Sequence, residues 1–174
     1  VASLETLYTL AAGVICQHGI PWHQARKRAI SCAQDTILAD FDPAEIRPKG
    51  DVAKLMNQLH QAQICIAIVT SDNRHLTEET LEILGIQNMV SHLICGDDPI
   101  PNKPFPEALW QISTQLGIER KRIMMVGDTL SDMQFASNAG VAFRIGIAPT
   151  SGEKTSLTSS ADAIIPSIDE INVR

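Results

Sequence analysis

Cysteine is sparse and scattered. Cys16, Cys32, Cys65 and Cys95 form no C-x-x-C pair, so neither a zinc site nor a disulfide framework is expected, and reduced thiols in a cytoplasmic protein are the default. No run of about 18 apolar residues occurs, so no membrane span is expected. The opening VASLETLYTLAAGVICQHG lacks the basic region of a secretion signal. It also lacks an initiator Met, which makes Val1 the expected first residue of a fragment. Positive charge is short: 14 Lys and Arg stand against 20 Asp and Glu, a formal net charge of −6. Without clustered Lys and Arg, nucleic acid is not expected as the main partner. A cleft can still hold a small phosphorylated metabolite through a metal and one lysine. Repeats and low-complexity tracts are absent as well.

What is present suits a globular chain. At 174 residues, 44% hydrophobic and 20% charged, the length fits one medium domain or a domain with a small insertion, with a core that needs no staples. Residues 1 to about 40 read as helical. Leu4, Leu7, Leu10, Ala11, Val14 and Ile15 recur at spacings of three and four, Gly19-Ile20-Pro21 breaks the pattern, and Trp22 to about Ile37 makes a second helix. After Gly50 the pattern changes. A helix over Asp51–His60 precedes Ile64–Val69, an apolar run of the kind buried on both faces of a parallel sheet. A helix over 77–84 ends at Gly85, a left-handed cap, one over 106–116 ends at Gly117 and one from about Ser131 ends at Gly140. Strands are expected over 92–95, 123–126, 141–145 and 163–165. This alternation predicts a doubly wound α/β domain with a parallel sheet.

In such sheets functional groups sit beyond the carboxyl ends of the strands. Thr70-Ser71-Asp72-Asn73 follows the first apolar run. Asn102-Lys103-Pro104 lies in the loop after the second, and Gly127-Asp128-Thr129-Leu130-Ser131-Asp132 follows the third. A hydroxyl, a lysine and two aspartates thus converge on one sheet edge. A hydroxyl can donate to a phosphoryl oxygen, an ammonium neutralises phosphoryl charge, and carboxylates hold Mg²⁺. Phosphoryl transfer needs little beyond such positioning and charge stabilisation.

VTSDN (69–73), NKPFPEAL (102–109) and MMVGDTLSDMQFASNAG (124–140) resemble the second, third and fourth motifs of the haloacid dehalogenase superfamily, in its phosphoglycolate-phosphatase-like branch. IRPKGDVAKLMNQL (46–59) is similar to that branch's return from a helical cap into the core. The resemblance implies a partial cap over 1–45 and a core over 46–174. By it, Thr70, Lys103 and Asp132 are candidate catalytic residues, and Thr70, Ser71 and Lys103 candidate substrate-binding residues. Asp128 and Asp132 are candidate metal residues for Mg²⁺, Asp132 acting from behind to orient Lys103 or a metal-bound water. The implied activity is hydrolysis of a small phosphorylated metabolite through an aspartyl-phosphate.

The first motif of that family, an apolar strand ending D-x-D-G-T, has no good match. Asp40-Phe41-Asp42 comes nearest, but Pro43 and Ala44 stand where Gly and Thr belong. The nucleophile strand is therefore expected upstream of Val1. Because it normally lies mid-sheet, its absence should leave two strand edges unpaired. A catalytically inactive binding domain and a phosphomutase are the alternatives. Asp97 and Asp98 read either as a metal pair or as an exposed loop. Trp22 and His23 read as cap-packing residues, His18 and Cys16 as structural, and 151–154 as a surface loop.

Overall fold

A computed structural model describes residues 4–39 and 46–173. In chain order the elements are α1 (Leu4–Gln17), α2 (Trp22–Ala39), α3 (Val52–Gln61), β1 (Ala67–Val69), α4 (Arg74–Ile83), β2 (His92–Ile94), α5 (Glu107–Leu116), β3 (Met124–Gly127), α6 (Leu130–Ala139), β4 (Phe143–Ile147), α7 (Ser151–Leu157) and β5 (Ala163–Ile165). Every strand pairing is parallel, and each strand after β1 is reached through at least one helix. The α/β expectation holds.

α1 and α2 pack through Ala12, Ala25 and Ala29, small residues that let the helix backbones approach; Ile15, Cys16 and Ile20 close around them. Trp22, expected to pack in the cap, is instead 49% exposed at the first position of α2. The main core joins Ile94 after β1–β2 pairing to Ala108, Leu109 and Ile112 of α5 and to Phe135, Ala136 and Ala139 of α6, with Val69 and Met125 against it. Gly85, Gly117 and Gly140 all take positive φ where the helices stop, at Gly85 as the sequence predicts.

The strands fall into two hydrogen-bonded sets, β1–β2 and β3–β4–β5. β1 begins at Ala67 rather than Ile64. Gln63 has a positive φ of 56°, and Ile64 is 47% exposed, so this apolar run is not buried on both faces. Ile64 belongs to the turn that closes α3, where its amide donates to Leu59 O at 3.0 Å. Ile66 accepts from Ser91 and Thr70 donates to Ile94, so the even positions face β2. Strand geometry then turns the backbone groups of Ala67 and Val69 to the other edge. By the same parity Ile123, which accepts from Ala142, faces β4, and Met124 and Val126 face away. Both free edges lack a strand partner among the described residues.

Two further expectations are corrected. β4 runs over Phe143–Ile147 instead of 141–145, because Val141 joins the main core as a connecting residue. The predicted loop at 151–154 is the first turn of α7. Thr150 and Glu153 form a reciprocal capping box there, satisfying two amide donors that an open helix end leaves orphaned.

Candidate active site

Lys103 links the carboxyl ends of β1 and β3. Its ammonium donates to the Val69 carbonyl at 3.2 Å and to Asp132 Oδ1 at 2.7 Å. Val69 lies on the free edge of β1, so the lysine satisfies a carbonyl that has no strand partner among the described residues. Two asparagines fix the loop that carries it. Asn102 Nδ2 donates to Gly96 O, and Asn138 Nδ2 on α6 donates to Pro104 O.

Asp132 is held on every side. Its Oδ2 accepts from the Thr129 amide at 3.0 Å and hydroxyl at 2.7 Å, while its own amide donates to Thr129 Oγ1 at 3.1 Å. This is the capping box that starts α6. The Asp132 and Lys103 side chains are only 6% and 14% exposed. Burial by itself raises the Asp132 pKa, but the Lys103 ammonium and the Thr129 donors outweigh it and hold the carboxyl below its ordinary value. With both oxygens engaged, Asp132 orients Lys103 rather than offering an open metal ligand. Of the two candidate metal residues, that leaves Asp128.

Gly127 is the condition for this packing. A Cβ there would stand 2.5 Å from Asp132 Cβ and 2.7 Å from its Cγ. Gly127→Ala is expected to cost about 1–3 kcal/mol, the usual penalty for overpacking. A lowered urea midpoint with unchanged slope would register it; an unchanged midpoint would show that Asp132 is free to move.

Asp128 faces outward at 47% side-chain exposure and receives Lys49 Nζ at 2.8 Å on Oδ2. That hydrogen bond raises the Lys49 pKa above its ordinary value, ahead of the opposing effect of burial. Lys49 was not foreseen: it lies 79 positions away in sequence, and no local pattern marks it. Thr70 follows β1 directly. Its hydroxyl donates to Asp72 Oδ2 at 2.9 Å and accepts from the Asp72 amide at 3.1 Å. Ser71 is half-buried in the same turn, with its carbonyl pressed against Gly96. Lys103, bonded to the carbonyl of the residue before Thr70, thus joins that turn to the Gly127–Asp132 turn.

Asp97 and Asp98 are structural. Asp97 accepts from the Arg74 amide, and Asp98 takes the Arg74 guanidinium through both oxygens, at 3.0 and 2.7 Å, plus the Cys95 amide at 2.8 Å. These contacts tie the loop after β2 to the start of α4, and they engage both oxygens of Asp98. Asp40 and Asp42 lie outside the described residues.

No group of three or more His, Cys, Asp or Glu gathers among the described residues. Magnesium, however, keeps several waters and takes one or two carboxylates plus substrate oxygens. The exposed Asp128 carboxylate, a hard oxygen donor at a strand end, fits that demand.

A family model for haloacid dehalogenase-like hydrolases matches residues 16–145. The chain belongs to this family. Among curated members of such enzymes, it is 30% identical over 94 residues to an N-acetylmuramic acid 6-phosphate phosphatase of Pseudomonas aeruginosa, covering 54% of this chain and 42% of that protein. It is 35% identical over 89 residues to a phosphoglycolate phosphatase of Pectobacterium atrosepticum, covering 51% and 38% respectively. The chain thus spans less than half the length of both. Its fold matches a beta-phosphoglucomutase of Clostridium difficile with a TM-score of 0.75, over 99% of this chain and 74% of that one, at 15% identity. No described helix of this haloacid dehalogenase-like chain is long and apolar enough to cross a membrane.

Proposed function

We propose that the protein is a magnesium-dependent phosphoric monoester hydrolase acting on a small phosphorylated metabolite through an aspartyl-phosphate. One observation carries the reading: the Lys103 ammonium, fixed by Asp132 and Val69, stands beside the Thr70 turn at the carboxyl ends of β1 and β3. A phosphoryl group there meets a cation that cannot swing away. Positioned charge of this kind is the main lever on phosphoryl transfer. Thr70, and Ser71 next to it, supply hydroxyl donors to phosphoryl oxygens, with Thr70 exchanging its Asp72 acceptor for the substrate. Asp132 positions Lys103. Asp128 would hold Mg²⁺, which when bound supplies positive charge against the phosphoryl oxygens.

The reading requires a carboxylate nucleophile on a strand between the free edges of β1 and β3. Such a strand would bond to Ala67 and Val69 on one side and to Met124 and Val126 on the other. Its last residue would emerge next to Lys103. The names of the relatives, two sugar-type or small-acid phosphomonoester phosphatases, support hydrolysis of that bond class. The α1–α2 pair is read as part of a cap that selects the substrate, and a cytoplasmic setting suits the scattered thiols. The likeness to a mutase concerns the fold alone and does not favour mutase chemistry.

Hydrolysis of p-nitrophenyl phosphate by this chain, with Mg²⁺ and with EDTA, tests the reading. Magnesium-dependent turnover that disappears in Asp40→Asn would put the nucleophile within the chain and remove the need for another strand. A folded chain that turns over only when a longer form supplies the strand supports the proposal. A longer form that stays inactive would overturn it in favour of a binding domain.

A further inference from the structure

We propose that Lys49 is the resident counter-ion of Asp128, and that it transfers to Glu153 when a divalent cation takes the Asp128 carboxylate. The inference rests on reading Asp128 as the metal ligand.

Lys49 sits between two carboxylates. Its Nζ is 2.8 Å from Asp128 Oδ2 and 3.8 Å from Glu153 Oε1. The three residues come from the loop before α3, the turn after β3 and the first turn of α7. Only the folded arrangement brings them together.

The loop that presents Lys49 is clamped rather than draped on the surface. The Lys49 carbonyl accepts from the Ile168 amide and from Ser167 Oγ, both at 3.3 Å. The Asp51 amide donates to Asp169 Oδ1 at 2.8 Å. Between them Gly50 has a φ of +122° and leaves no room for a side chain, since a Cβ would stand 2.6 Å from Ile168 Cγ1. The backbone at Lys49 is therefore fixed while its side chain, 42% exposed, keeps the freedom of a four-carbon stem ending in a compact charge.

Glu153 is built as a second seat. Its Oε2 is held by the Thr150 amide at 2.9 Å and hydroxyl at 2.6 Å, which fixes the carboxylate and leaves Oε1 turned to Lys49. An ammonium and a divalent cation both seek the same hard carboxylate oxygen, and close together they repel. A move of the ammonium on to Glu153 removes the competitor without leaving it unpaired. It also keeps positive charge beside Asp128 in both states, so the carboxylate never faces an incoming phosphate dianion bare.

Mn²⁺ binding, followed by water-proton relaxation on the 174-residue chain, tests this directly. Lys49→Met is expected to tighten Mn²⁺ binding by roughly five- to tenfold, the scale of an exposed like-charge pair removed. Lys49→Arg should leave it near the parent value. Glu153→Gln should weaken binding in the parent and have no effect in the Lys49→Met background, the coupling expected if Glu153 acts through Lys49. Asp128→Asn should abolish the specific signal. If Asp128→Asn abolishes binding but Lys49→Met leaves it unchanged or weaker, the counter-ion proposal is overturned while the metal assignment survives. An equal Glu153→Gln effect in both backgrounds removes the transfer step. If Asp128→Asn changes nothing, the metal assignment falls and takes this proposal with it.

Discussion

Asp132→Ala is expected to remove about 3–5 kcal/mol of folding stability, the cost of breaking a buried ion pair and leaving one charge alone. The partner left behind is Lys103, 14% exposed and held 2.7 Å from the lost carboxylate. The substitution also removes the acceptor in the α6 capping box, which by itself is worth about 1 kcal/mol. Asp132→Asn separates these effects. It keeps the volume beside Gly127 and an oxygen for Thr129, but withdraws the negative charge from Lys103. The expected order of urea midpoints is parent, then Asn, then Ala. A midpoint for Asp132→Ala within about 0.5 kcal/mol of the parent, the range of an ordinary surface change, would show that Lys103 finds another partner.

The same carboxylate makes a contribution that depends on pH. The Asp132 pKa is lowered below 3.8 in the folded protein. The folded state therefore binds its proton less readily than the unfolded chain does. Its stabilising contribution is complete above about pH 4–5 and is lost as pH falls through the lowered folded value. Asp132→Ala should accordingly flatten the acid limb of the stability profile. An acid limb as steep in the variant as in the parent would assign acid sensitivity to other carboxylates, such as Asp98, also lowered through Arg74 once the opposing effect of burial is overcome.

Much of this site is legible in the sequence because its residues stand at fixed offsets from recognisable elements. Thr70 comes one position after an apolar run. Asp128 and Asp132 bracket the start of a helix that ends at Gly140, while the Thr129–Asp132 capping box emerges only in the structure. Lys103 before Pro104 sits in the loop that follows β2. Local patterns of this kind fix which loop a side chain belongs to. They do not fix which long-range contact it makes. Lys49 is the example: Pro48-Lys49-Gly50 reads as a turn, and only the clamp by Ser167, Ile168 and Asp169 turns its ammonium toward Asp128. Asp97 and Asp98 are a second example: the sequence leaves a metal pair and an exposed loop both open, and only the fold shows that Arg74, 24 positions before Asp98, claims the Asp98 side chain. Strand ends blurred for a third reason. Over Val141–Ala148 the apolar pattern is continuous enough to admit several registers, and pairing to β3 and β5 selects Phe143–Ile147. Ile64 stays outside β1 because its amide closes the end of α3 on Leu59 O.

Asp128→Ala should behave in the opposite way to Asp132→Ala. The two aspartates are four residues apart, yet one is 47% exposed and the other 6%. Asp128 makes one exposed ion pair, with Lys49, and such pairs contribute about 0–1 kcal/mol. Its removal should leave the urea midpoint almost unmoved. In any form of the protein that hydrolyses p-nitrophenyl phosphate, however, magnesium-dependent kcat should fall by at least about a hundredfold, the scale of losing one preorganised charge-stabilising group. Added Mg²⁺ should not restore it. Asp128→Glu, which keeps the charge but lengthens the stem, is expected to retain partial turnover with a higher magnesium requirement. Retained turnover in Asp128→Ala at ordinary Mg²⁺ would sink the metal role. A joint loss of activity and stability would mean that Asp128 supports the β3 turn rather than the chemistry. The contrast between neighbours is the physical content of the motif. The buried carboxylate is surrounded so that it cannot leave Lys103, and the exposed one keeps an oxygen free for what arrives from solvent.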